Sequence, residues 1–168
     1  MTINAQSATV PAFVQILNAL STILTKAAAH AEAKKIDPSV FVTARIAPDM
    51  FPLARQVQIA TDHAKGASAR MAGIDIPSFA DTETTFGELQ ARIAKTLDFI
   101  KGLKPAQFDG GFERDITLTI AGQKMTWKGD VYLHQFALPN FYFHVTAAYA
   151  ILRHNGVDVG KRDFLGTL

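Results

Sequence analysis

Between Val10 and Ala31 the apolar residues Val10, Phe13, Leu17, Leu20, Leu24, Ala27 and Ala31 recur in alternating steps of three and four. A stripe of that period lies along one face of a helix and must be buried against other elements. It predicts a long bundle helix that begins near Ser7 or Thr9, with Pro11 in its first turn, where a missing N–H costs little. Lys34 and Lys35 mark its end, since cations suit the negative pole of the helix dipole.

The remaining chain supplies partners for that stripe. Asp37-Pro38 reads as an N-cap followed by proline at the first helical position, which predicts a short helix over Ser39 to Ile46. Asp49 is the expected cap of a second long helix, with Pro52 in its first turn and an apolar face of Leu53, Val57, Ala60, Ala64 and Met71. Gly73 stops it. Thr85-Phe86-Gly87-Glu88 is a capping box for a third long helix, striped by Phe86, Leu89, Ile93, Leu97 and Ile100 and ended by Gly102. The period then changes to two. Ile116, Leu118 and Ile120 alternate with threonines, and the chain returns through Met125 and Trp127 after Ala121-Gly122, which predicts a β-hairpin. That hairpin is expected to be local decoration, with a solvated threonine face and Trp127 as its anchor to the helices. The tail VDVGKRDFLGTL carries Phe164 and Leu165 and should pack on the bundle.

The fourth long helix is expected from Asp130 to Asn155, DVYLHQFALPNFYFHVTAAYAILRHN, capped by Gly129-Asp130 and stopped by Asn155-Gly156. It holds three of the five histidines. Asn140 and His144 stand four apart, so both project from one face. Small residues (Ala137, Ala147, Ala148) surround that face and leave room for an ion or a water. Pro139 removes one backbone donor and should bend the helix, freeing a carbonyl near Gln135. His134 lies ten residues before His144 and would point roughly 80° away on a straight helix. His63 flanks the apolar face of the second long helix, between Ala60 and Ala67, and facing bundle helices are where metal sites are built. His30 and His154, each near a helix end, read as solvated or structural.

Composition narrows the function classes. A chain of 168 residues suits one domain, 1–168. A net charge of +2 with dispersed lysines and arginines gives no support for nucleic-acid binding. Cysteine is absent, which removes disulfides, thiolate ligands and a cysteine nucleophile. The N-terminus has no leader pattern and no uninterrupted apolar run reaches the ~18 residues of a membrane span, so a cytoplasmic protein without membrane association is expected. The apolar share of 48% against 19% charged residues suggests a homodimer. Phe136, Phe141, Tyr142 and Phe143 crowd more faces of the last helix than one core can take. There is no phosphate-binding glycine loop and no nucleophile elbow.

The ending YAILRHNGVDVGKRDFLG, after a helix with a histidine one or two turns earlier, resembles the DinB-like (DinB/YfiT) four-helix-bundle superfamily, and within it a bacterial subfamily of unknown function. The likeness covers the whole chain in element order and is strongest in the last forty residues. It implies an all-α four-helix bundle with the small hairpin between helices three and four. It also implies a divalent metal, zinc or nickel, held by one histidine of the second long helix and two positions four apart on the fourth. Those positions are His63, Asn140 and His144; Asn140 departs from the histidine of the pattern, and an amide oxygen is a harder, weaker ligand for such metals. The resemblance implies a metal-dependent enzyme of transferase or hydrolase type acting on a small molecule. The alternative is a non-catalytic dimeric bundle that has lost its metal and serves as a small-ligand-binding or stress-related protein. No catalytic residue is assigned at this level.

Overall fold

The computed structural model describes residues 3–166. Four long helical stretches run as a bundle: α1 (Ala5–Lys34), α3 (Leu53–Ala72), α4 (Phe86–Lys101) and a last stretch built of α5 (Gly129–Val131), a π segment (Tyr132–Ala137) and α6 (Leu138–His154). A short α2 (Pro38–Thr43) links the first pair, and α7 (Lys161–Leu165) folds back against α1. The hairpin β1 (Asp115–Ile120) and β2 (Gln123–Lys128) stands before the last stretch. α3 packs against α6, α4 and α1, and is the helix through which the core is connected.

The stripe of α1 is buried from Phe13 to Ala31. The helix begins earlier than expected, however. Asn4 accepts from Ser7 N at 2.8 Å while Asn4 N donates to Ser7 Oγ at 3.0 Å, a reciprocal cap that places Pro11 inside the helix. By length and composition α1 also meets the criteria of a membrane-crossing helix, contrary to the sequence expectation. Its apolar stripe is instead covered by the bundle, with Phe13, Leu17, Leu20, Ile23 and Leu24 fully buried. Two further boundaries shift. α2 ends at Thr43, with its Asp37 cap in place (Ser39 N to Oδ1, 2.9 Å). α3 starts at Leu53 after Pro52, with no side-chain cap, so Asp49 plays no capping role. The box at Thr85 and Glu88 opens α4.

The hairpin turns on Ala121 and Gly122, both at positive φ (49° and 79°), the pair of left-handed conformations that a two-residue turn of this hand requires. Ile116 is buried opposite Trp127, and the Thr117 and Thr126 hydroxyls meet at 2.8 Å on the exposed face. Trp127 stacks on Phe136 at 5.6 Å between centroids, tying the hairpin to the last helix. That helix opens at Gly129 itself, where a Cβ would lie 1.9 Å from the Gly111 carbonyl oxygen. Only glycine permits that approach. The discontinuity at Pro139 is absorbed as the π segment just upstream. Proline cannot donate to the carbonyl four residues back, and a π turn reroutes the ladder around it. His134 is exposed, with Nδ1 2.9 Å from Asp130 O.

One buried cation organises the 79–83 loop. Arg92, on the apolar stripe of α4, is 3% exposed. Its guanidinium donates to Thr61 Oγ1 (2.7 Å), Ala80 O (2.9 Å), Glu83 Oε1 (3.0 Å) and Asp62 Oδ1 (2.8 Å), and pairs with Asp81 Oδ1 at 3.0 Å. Truncating a buried charge pair strands its partners, and Arg92→Ala should lower unfolding stability by about 3–5 kcal/mol. Chemical denaturation measures it; a loss below about 1 kcal/mol would mean that the network adds little to the fold.

Candidate metal centre

Seven residues separate Gln56 from His63, two turns of α3, so both side chains project from one face. Across from them α6 carries Asn140 and His144. The rings of His63 and His144 meet between the two helices with centroids 5.8 Å apart and planes within 16° of parallel. Phe136 closes one side of His63 at 6.0 Å, and Phe143 lies edge-on to His144 at 5.2 Å.

The protonation state follows from the surroundings. Burial pulls the His63 imidazole down to about 4, with the positive fields of His144 and Arg70 adding to it and Asp62 opposing. His144 is lowered too, first by burial and then by Arg55. Both rings are neutral near pH 7, the form a metal requires. The tautomer of His144 is fixed by Gln56, which is 1% exposed. Gln56 Nε2 donates to Phe51 O at 3.1 Å, so its Oε1 faces His144 Nδ1 at 2.7 Å and accepts that proton. His144 Nε2 is left with its lone pair. An oxygen acceptor on the far nitrogen of a histidine is the arrangement that orients metal-binding imidazoles.

The donor set fits one ion in part. An imidazole nitrogen sits about 2.0–2.1 Å from zinc and roughly 1.1 Å from its ring centre, so two rings on one ion have centres at most about 6.4 Å apart. The 5.8 Å between His63 and His144 lies within that limit. Asn140 is half-buried one turn before His144, but its Nδ2 donates to Phe136 O at 2.7 Å. Its Oδ1 is the atom left to offer. Among the described residues no group of three or more His, Cys, Asp or Glu is placed to hold an ion. Asp62, next to His63 in sequence, is engaged by Lys65 (3.0 Å) and Arg92 (2.8 Å).

His30 lies edge-on to Phe41 at 5.8 Å, and His154 is exposed, so neither joins the pair. Sequence reasoning missed Gln56 and Arg92. The signal was available in both cases: a polar side chain sits beside an apolar stripe at helical spacing, Gln56 between Leu53 and Ala60, Arg92 three residues after Leu89 and next to Ile93. Arg70 and Tyr132, joined at 3.2 Å near His63, had no such signal, because they meet only through the tertiary fold.

Over residues 6–165 the chain matches a family described as a domain of unknown function, DUF1993. It is similar to a solved structure of a DinB family member protein from Shewanella denitrificans, at 43% identity and a TM-score of 0.91, across 97% of this chain and 92% of that one. No curated protein matches.

Because His63 titrates lower in the folded protein than its ordinary 6.5, the unfolded chain binds more protons between about 6.5 and about 4. Stability is therefore complete above that window and falls as pH drops through it. In EDTA-treated protein the loss should be on the order of 1–3 kcal/mol, and His63→Gln should flatten the curve by that amount. Thermal unfolding between pH 7.5 and 4.5 reads the difference; parallel curves for the two proteins would show His63 to be solvated.

Proposed function

The chain belongs to the DUF1993 family of DinB-like proteins, and from that premise we propose a small-molecule enzyme, cytoplasmic, of transferase or hydrolase type, that depends on a divalent metal. The observation that carries the reading is the His63–His144 pair, two neutral imidazoles 5.8 Å apart between α3 and α6, one with its tautomer fixed by Gln56.

His63 and His144 would hold the ion, zinc or nickel, with Asn140 Oδ1 as a weaker oxygen donor. Such an ion supplies Lewis acidity, lowering the pKa of a water or thiol that it binds. The protein's part is orientation and charge. Gln56 keeps the His144 Nδ1 proton in place, so Nε2 stays available. Phe136 packs beside His63 and Phe143 lies edge-on to His144, so the rings are held between aromatic neighbours. Only two imidazoles are offered, so several coordination positions remain for small molecules, as a catalytic site needs.

A second reading has one observation in its favour: the Asn140 amide nitrogen is already held by Phe136 O. In that reading the chain is a non-catalytic bundle that keeps the pocket and binds a small ligand without metal. In both readings the protein is a homodimer along the outer face of α6, where Tyr142 (36%) and Phe143 (56%) leave aromatic surface exposed. Light scattering that finds a monomer at micromolar concentration removes the dimer from either.

Protein made without a histidine tag, stripped with EDTA and reconstituted with zinc or nickel, should retain about one ion per chain. Asn140→His should tighten binding at least ~10-fold, and Gln56→Leu should weaken it roughly 10–100-fold by releasing His144. His144→Ala should abolish it. Calorimetric titration measures all four; no uptake by the reconstituted wild type decides for the second reading.

A further inference from the structure

Beside the imidazole pair, α3, the π segment and β1 line an open cavity of about 250 Å³ whose walls include Arg55, His63, Arg70, Leu118, Tyr132 and Phe136. Its charges are unevenly committed. Arg55 is paired with Asp81 and also reaches Gln58 Oε1 at 3.2 Å. Asp62, on the same wall, has Oδ1 shared by Lys65 and Arg92 at 3.0 and 2.8 Å, so its negative charge is already matched by two cations. Arg70 differs. Among the described residues it makes no ion pair, and its Nη1 donates to the Tyr132 hydroxyl at 3.2 Å. Tyr132 is 1% exposed, and among the described residues its hydroxyl proton has no acceptor. A half-buried guanidinium with no counterion, beside a buried hydroxyl with an unused proton, is a donor pair waiting for an oxyanion.

We propose that this cavity binds the oxyanion head of a small molecule, the Arg70 guanidinium and the Tyr132 hydroxyl donating to it while Leu118 and Phe136 flank a short apolar body. The inference deepens the enzyme reading above and rests on it for one point only: His63 lines the same cavity, so an anion held by Arg70 lies beside the imidazole pair as a substrate would. The volume sits below the ~300–1,000 Å³ usual for ligand pockets, which restricts the ligand to a compact carboxylate or phosphate ester. A guanidinium fork suits either head group, whereas a lysine would offer only a point charge.

The single tryptophan is a built-in reporter, since Trp127 stacks on Phe136 of the cavity wall. EDTA-stripped protein is titrated with sodium butyrate and, separately, with inorganic phosphate, each against sodium chloride at matched ionic strength. A saturable change in Trp127 fluorescence with butyrate marks a carboxylate site, and with phosphate a phosphate-ester site. Either supports the inference; response to neither overturns it. Arg70→Gln should weaken the responding anion about tenfold or more. Arg70 also leans on Gly66, so Tyr132→Phe serves as the gentler variant and should weaken binding several-fold. Wild-type affinity in both variants overturns the assignment to Arg70 and Tyr132. Metal is absent throughout, so anion binding without later zinc uptake keeps this inference and discards the metal reading. Zinc uptake without anion binding does the reverse.

Discussion

The packing of α3 against α6 is the contact on which both the core and the site depend. Both helices are rich in small buried residues, with Ala60, Ala64 and Ala67 on one and Ala147 and Ala148 on the other. Small side chains let two helix backbones approach, and they leave space where a larger polar group can sit between them. Into that space His63 and His144 project, with Gln56 closing the end toward Phe51. Core and site are therefore one construction. A change that splayed these helices would loosen the hydrophobic contact and separate the imidazoles together.

The polar groups along α3 fall into two sets with different work. Arg92 gathers Thr61, Asp62, Asp81 and Glu83, so that set is charge-paired and fixes the 79–83 loop. The other set is under-committed. His63 is kept neutral mainly by burial, His144 keeps Nε2 available because Gln56 holds its other nitrogen, and the Arg70 side chain faces a cavity with Tyr132 as its one partner among the described residues. A saturated network stabilises, while an unsaturated one beside a cavity is where binding energy can come from. The π segment joins the two sides. It carries Tyr132 and Phe136 into the cavity wall and lets the helix continue through Pro139.

Sequence carried much of this and hid the rest for physical reasons. The stripes of α1 and α4, the Thr85–Glu88 box and the period-two hairpin are local signals, and each element formed where its pattern lay. Boundaries that depended on choosing between neighbouring caps moved by a few residues: Asn4 capped α1 ahead of Ser7, and Pro52 began α3 without Asp49. His63 and His144 could be paired only through a resemblance to a known bundle, since 81 positions separate them and periodicity says nothing of which helices face each other. Arg92 was visible as a polar residue beside the α4 stripe, but its partners lie on α3 and in the 80–83 loop, two stretches that no local pattern brings together. Arg70 and Tyr132 were illegible because Pro139 announced a bend near Gln135 but not the π turn that sets the register of Tyr132.

The central claim is that His63 and His144 serve one ion. X-ray absorption at the zinc edge of reconstituted protein tests it most directly, because imidazole rings bound through nitrogen give a characteristic outer-shell scattering. The account predicts two imidazole ligands at about 2.0–2.1 Å with oxygen donors completing the shell, and one imidazole fewer in His63→Gln. A zinc bound by oxygen alone, or by an imidazole that survives loss of either histidine, would contradict it.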